Sequence, residues 1–139
     1  MQPNMTGTEI EAFLAQVFPQ AQGYAVTGLT PQGASMRLAV ADRHLRPGGT
    51  VSGPTMFELA DLAMYAALLS RIGPVALAVT TGASIDFMRK PAAGRDLRAD
   101  CRLLKLGRVL AVGDVLIYSD GETQPVARAS LTYSIPPKA

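Results

Sequence analysis

Apolar residues are packed most densely between Met56 and Leu69, and that density predicts an interior helix. Met56, Phe57, Leu59, Ala60, Leu62, Ala63, Met64, Ala66, Ala67, Leu68 and Leu69 cover almost its whole circumference. A helix apolar nearly all round belongs inside a protein. The stretch before it, Arg46 to Gly53, is too rich in Gly and Pro for regular structure. Pro54 suits the first helical position, where a missing N–H is harmless, and Gly73-Pro74 is a typical stop. About eighteen residues at about 1.5 Å each give about 27 Å, close to a membrane span. Glu58 and Asp61 in the first half argue against a bilayer. Glu58, Asp61 and Tyr65 fall at i, i+3 and i+7, so they form one narrow polar stripe. That stripe faces either water or a cleft inside the protein.

The other segments read more simply. Thr8 to Phe18 carries Ile10, Phe13, Leu14 and Val17 on one face, which predicts a short amphipathic helix packing as a lid. With the loose residues Met1 to Gly7 it makes residues 1–20 an N-terminal extension. Tyr24 to Leu29 and Ala34 to Val40 alternate as strands around a Pro31-Gln32-Gly33 turn. Val75 to Met88 predicts a long strand with Leu77, Val79, Thr81, Ala83, Ile85 and Phe87 on one face. Its other face, Ala76 to Asp86, is made of small residues that could admit a ligand or another chain. Asp96 to Leu106, Val109 to Tyr118 and Val126 to Ser134 complete the strands, and Pro136-Pro137 is expected to end order. Short connections imply antiparallel neighbours. The expected architecture is α+β: an antiparallel sheet of about six strands wrapped around one long central helix, all within a single domain over residues 1–139.

Composition narrows the function. The chain has 139 residues, 48% hydrophobic and only 17% charged, which suits a compact core and hints at self-association. A net charge of +2 gives no basic stripe for nucleic acid. Cys101 and His44 each stand alone, so no disulfide, metal-ligand spacing or ready Ser-His-Asp relay is expected. The N-terminus lacks a basic flank followed by an apolar run, so no signal peptide is expected and a cytoplasmic protein is.

The segment P-G-G-T-V-S-G-P-T-M-F-E-L-A-D-L-A-M-Y-A, with D-F-M-R-K-P-A-A-G-R-D-L and L-G-R-V-L further on, resembles the hotdog-fold acyl-CoA thioesterases, specifically the phenylacetic-acid-degradation group. The resemblance runs from about Tyr24 onward. It implies a hotdog fold, an acyl-CoA substrate with no further cofactor or metal, and a dimer or tetramer. It also implies that Asp61 is the general base or nucleophile and that Gly53 offers its backbone N–H to the thioester oxygen. The chain departs from the family pattern at Ser52 (His in the family), Pro54 (the second Gly), Arg46 (Asn or Gln) and Tyr65 (often a small hydroxyl residue).

Thioester hydrolysis needs a stabiliser for charge on the carbonyl oxygen and an activator of water or an attacking group. Unpaired N–H groups at a helix N-terminus supply the first, and a carboxylate supplies the second. Gly53 and Asp61 are eight residues apart, about 12 Å along one helix, so one thioester carbon cannot meet both within a chain. A site shared between two antiparallel copies is expected. Arg46, Arg89 and Lys90 are candidates for substrate carboxylate or coenzyme A phosphates. Ser52 is a helix cap or a hydroxyl at the site, Tyr65 a pocket wall or a packing residue, and Pro54 stands beside the Gly53 amide. His44 is expected in a loop and Cys101 in the core. Two other readings stay open: an acyl-CoA-binding protein without turnover, and a purely structural oligomerisation module. Neither a nucleic-acid nor a membrane partner is expected.

Overall fold

The computed structural model describes residues 3–137. Its elements, in chain order, are α1 (Gly7–Val17), β1 (Tyr24–Thr30), β2 (Gly33–Leu38), a 3₁₀ turn (Asp42–His44), α2 (Gly53–Ile72), β3 (Val79–Phe87), β4 (Leu97–Leu106), β5 (Leu110–Ser119) and β6 (Ala127–Ser134). The strands form one six-stranded sheet in the order β1-β2-β4-β5-β6-β3, and every pairing is antiparallel.

The central helix starts where its sequence allows it to. Ser52 is the N-cap, and its Oγ accepts from the Thr55 N–H at 3.3 Å, which satisfies one of the donors a helix leaves orphaned. Gly53 occupies the first helical position and Pro54 the second, one place later than expected. At the other end Gly73 adopts φ 89°, which only glycine takes readily, and its N–H closes onto the Leu69 carbonyl. Between these ends Leu59, Ala63, Met64, Ala66, Leu68 and Leu69 are fully buried. Each large side chain so buried contributes about 1.5–3 kcal/mol to the driving force for folding.

The sheet supplies the other half of that core. Alternation on β4 points Leu97, Ala99 and Cys101 at the helix and leaves Arg98, Asp100 and Arg102 outside. On β5 it buries Ala111, Val115 and Ile117, and on β6 Ala127, Ala129, Leu131 and Tyr133. The outer face carries ion pairs instead: Arg37 donates to Asp96 and Asp120 at 3.0 and 2.9 Å, and Arg128 to Asp86 at 2.9 Å.

α1 packs as the expected lid. Thr6 and Glu9 form a reciprocal capping box at its start, and Ile10 and Leu14 bury its inner face. Met1 and Gln2 lie outside the described residues. The rest of the N-terminus, expected to be loose, is instead tied down: the Asn4 N–H donates to the Ser70 carbonyl at 2.8 Å, and Met5 is buried.

β3 departs most from expectation. The segment Val75 to Ala78 is a turn instead of strand, with the Ala78 N–H donating to the Val75 carbonyl at 3.3 Å. Register against β6 then slips between Thr80 and Gly82. The bulge leaves Thr81 as the extra residue, so Thr80, paired with Tyr133, points inward with Ala83 and Ile85, against the simple alternation.

Candidate active site

The start of α2 opens onto a cleft. Leu45 and Val51 bridge to form a small hairpin, whose tip turns at Gly48 (φ 101°) and Gly49 (φ 83°). This hairpin, the first turns of α2 and the segment after β3 enclose about 560 Å³. Arg46, Gly53, Met56, Phe87, Arg89 and Lys90 are among its lining residues, and no carboxylate is. Three of the polar candidates, Arg46, Arg89 and Lys90, therefore share one space with the candidate amide of Gly53.

The electrostatics of this cleft are one-signed. The Arg89 guanidinium is braced by donating to the Pro125 carbonyl at 2.8 Å. Among the described residues the side chains of Arg46 and Lys90 engage no hydrogen bond or ion pair, and nothing accepts the Gly53 N–H. Helix N-termini carry about half a positive charge, so the cleft favours an anion or a developing oxyanion. Gly53 has a steric reason as well. A Cβ there would lie 3.2 Å from the Phe87 Cζ.

Ser52 and Pro54 flank this amide in different ways. The Ser52 hydroxyl is committed to the cap, bonding Thr55 Oγ1 at 2.9 Å besides the Thr55 N–H. Pro54 is exposed in the first turn.

Asp61 lies two turns further along and does not line that cleft. It is half-buried, and its Oδ1 accepts from Thr80 Oγ1 at 2.5 Å and from the Tyr133 hydroxyl at 2.9 Å. The Tyr133 oxygen also sits 3.2 Å from the Asp61 carbonyl. Burial first, and then the charge of Asp61, push the Tyr133 hydroxyl well above its ordinary pKa, so it stays a proton donor.

The polar stripe expected on α2 is not one environment. Glu58 is exposed and accepts from the Tyr24 hydroxyl at 2.5 Å. Tyr65 is the correction: it is 1% exposed and packs in the core instead of facing a cleft. Its ring stacks on Tyr133 at 5.9 Å, and its hydroxyl reaches the carbonyls of Val75 and Ala76 at 3.3 and 3.1 Å. A tyrosine can be buried in this way because its one polar atom finds partners in the turn before β3.

Thr80 and Tyr133 are the two residues at Asp61 that sequence reasoning misses. Tyr133 falls on the inward alternation of β6, which is legible, but its partner across the core is not. His44 is buried, its Nδ1 accepts from the Ala41 N–H at 2.9 Å, and burial lowers its pKa. It serves the turn leading to the cleft hairpin. Cys101 is in the core beside the Met64 sulfur at 3.8 Å, and burial pushes its thiol up to about 12, too high for a nucleophile.

A larger trough of about 610 Å³ lies on the outer face of the sheet, lined by Asp86, Asp100, Arg102, Asp114 and Arg128 among others. Its charges have mixed sign, Asp86 and Arg128 neutralise each other, and no helix end opens onto it. The cleft at Gly53 is the better candidate.

Comparison with known proteins identifies the family. Residues 48–126 match the family model described as "Thioesterase superfamily". A protein of Pseudomonas aeruginosa, PA0474, named for an inferred esterase activity, is 34% identical over 110 residues, covering 76% of this chain and 80% of its own. Among solved structures, an inferred thioesterase from Silicibacter sp. TM1040 is 56% identical, with a TM-score of 0.91 over 99% of this chain and 96% of that one. The phenylacetic acid degradation protein PaaI of Thermus thermophilus, solved as a point mutant, is 30% identical with a TM-score of 0.73, covering 86% of this chain and 98% of that one. The long helix wrapped by a six-stranded antiparallel sheet is the hotdog fold, and the chain belongs to the thioesterase superfamily.

Proposed function

We propose that the protein hydrolyses an acyl-CoA thioester to the free acid and coenzyme A. The cationic cleft at the start of α2 carries this reading: an unpartnered Gly53 N–H opens into it beside Arg46, Arg89 and Lys90, with no carboxylate among its walls. The thioester oxygen takes the Gly53 N–H as negative charge develops on it. The phosphates of coenzyme A, or a carboxylate on the acyl group, take the cations. Asp61 removes a proton from water or attacks the carbonyl carbon directly.

Asp61 and Gly53 of one chain are about 12 Å apart along α2, so the reading requires two copies. A second chain with its α2 antiparallel brings its Asp61 to the first chain's Gly53. β3 offers the surface for such pairing: it is an edge strand with Leu77, Val79, Phe87 and Met88 exposed along and around it. The active unit is then a homodimer or a tetramer of two such dimers, working in the cytoplasm with no cofactor beyond the coenzyme A of its substrate.

One observation favours a second reading, in which the protein binds acyl-CoA without turning it over. Ser52 stands where the resembling family has His, and its hydroxyl is occupied by the helix cap. A panel of aryl, short-chain and long-chain CoA esters, assayed for thiol release with Asp61→Asn as control, decides between them. Release by the native protein that Asp61→Asn abolishes supports hydrolysis. Saturable binding without thiol release supports the second reading.

A further inference from the structure

We infer that Tyr133 is a positioning residue for this chemistry: its hydroxyl holds Asp61 Oδ1 in place so that Oδ2 alone faces the reacting group. The inference rests on the reading of Asp61 as base or nucleophile. The terminal torsion of a carboxylate is broad and roughly two-fold, so an unsupported Asp61 would present either oxygen over a wide range of angles. Two donors converge on Oδ1, Tyr133 at 2.9 Å and Thr80 at 2.5 Å. Among the described residues nothing bonds Oδ2. The two oxygens are thereby made unequal: one is anchored and one is left to act.

The anchor is itself rigid, which is what separates Tyr133 from a casual contact. It is 3% exposed on the inward face of β6. Its ring stacks on Tyr65 with centroids 5.9 Å apart and planes 19° from parallel. Phe18 meets the Tyr65 ring edge-on at 5.9 Å. Tyr65 in turn reaches the carbonyls of Val75 and Ala76, in the turn that leads into β3 and therefore to Thr80. Thr80 and Tyr133 are also register partners across β3 and β6, so the two donors on Oδ1 are held side by side. A buried hydroxyl so placed has no route to solvent as an alternative partner, and its shortest bond, at 2.9 Å against 3.2 Å to the Asp61 carbonyl, goes to the Asp61 carboxylate.

Two substitutions separate positioning from packing. Tyr133→Phe keeps the ring and its stack but removes the O–H, whereas Tyr133→Leu removes both. The full-length chain is assayed with phenylacetyl-CoA and hexanoyl-CoA, and kcat, KM and Tm are measured for each variant. Tyr133→Phe is expected to lower kcat about ten- to a hundredfold, the scale of a misplaced reacting group. KM should stay within about twofold, since substrate binding is unaffected. Tyr133→Leu is expected to lose kcat to the same degree, and it alone should unfold at clearly lower temperature. Native-like kcat in Tyr133→Phe, with loss confined to Tyr133→Leu, overturns the inference and makes the tyrosine a packing residue only. If Asp61→Asn keeps full activity, or the native chain hydrolyses neither ester, the reading of Asp61 falls and this inference falls with it. An active native chain, a dead Asp61→Asn and an unaffected Tyr133→Phe overturn this inference alone.

Discussion

The two edges of the sheet are built in opposite ways. β1 is closed over: α1 lies against it, the Glu11 carboxylate accepts the Val26 N–H at 2.9 Å, and Gly7 packs on Val26. β3 is open, with β6 its one strand neighbour among the described residues, and its flank shows Leu77 at 79% and Val79 at 55% exposure. An unpaired edge bearing exposed apolar side chains is a liability unless a partner covers it, and proteins usually blunt such edges with charges or helices. Here one edge is blunted and the other is not. The open edge also borders the candidate site, because Thr80 on its bulge reaches Asp61 and Phe87 at its end walls the Gly53 cleft. Closure of β1 leaves the sheet one direction in which to grow, and that direction passes the candidate site.

Placing charge on the open edge tests this contrast most severely. Leu77→Glu combined with Val79→Glu should break the proposed dimer into monomers, read by sedimentation velocity, because two buried like charges would face their copies. Thiol release from acyl-CoA should fall about a thousandfold, as for loss of a general base, while the far-UV circular dichroism stays native. The matching substitution on the closed edge, Thr27→Glu, should change neither. A monomeric double variant with full activity would refute the shared site.

A smaller effect is expected from the bulge itself. Thr80→Val keeps the shape of the side chain and removes the hydroxyl that donates to Asp61 Oδ1. With Tyr133 still in place, kcat should fall about three- to tenfold, the scale of one hydrogen bond at an active site. Steady-state kinetics on the same esters check it. Equal loss in kcat and in oligomer stability would mean that the threonine serves the edge and not the carboxylate.

The contrast also explains which parts of the molecule are legible in the sequence. α2 is readable because its apolar residues ignore the helical period, and a cap, a proline and a terminal glycine bracket it. β4 is readable because it is buried on one face, so alternation reports the core, and β5 because it is apolar on both faces apart from Asp114, which suits a strand inside the sheet. The start of β3 misleads for the same reason reversed. On this open edge Leu77 and Val79 are apolar yet exposed, away from the core, and alternation cannot distinguish the two. Alternation puts Thr80 on the face opposite Ala83 and Ile85 because a bulge adds one residue without any local signal, and its true position depends on register with Tyr133 on a strand more than fifty residues away. The residues around Gly53 can be picked out because helix starts have strong local chemistry. Spacing alone groups Tyr65 with Glu58 and Asp61, and only the turn carbonyls at Val75 and Ala76 explain why a polar atom can be buried there.

The smallest expected effect lies at the closed edge, and it separates structure from function most cleanly. Glu11→Ala removes the acceptor of the Val26 N–H and leaves Ile10 and Leu14 to hold α1 on the core. Water can replace the lost carboxylate at this exposed position, so the change is that of one solvent-accessible hydrogen bond. Tm should fall by about 2–4 °C in a thermal melt, with kcat and KM unchanged. The exposed amide should also exchange with deuterium faster at Val26 while those of β3 keep their native rates, since the two edges lie at opposite ends of the sheet. Loss of activity in Glu11→Ala would mean that the closed edge communicates with Asp61, and the division of labour between the two edges would have to be abandoned.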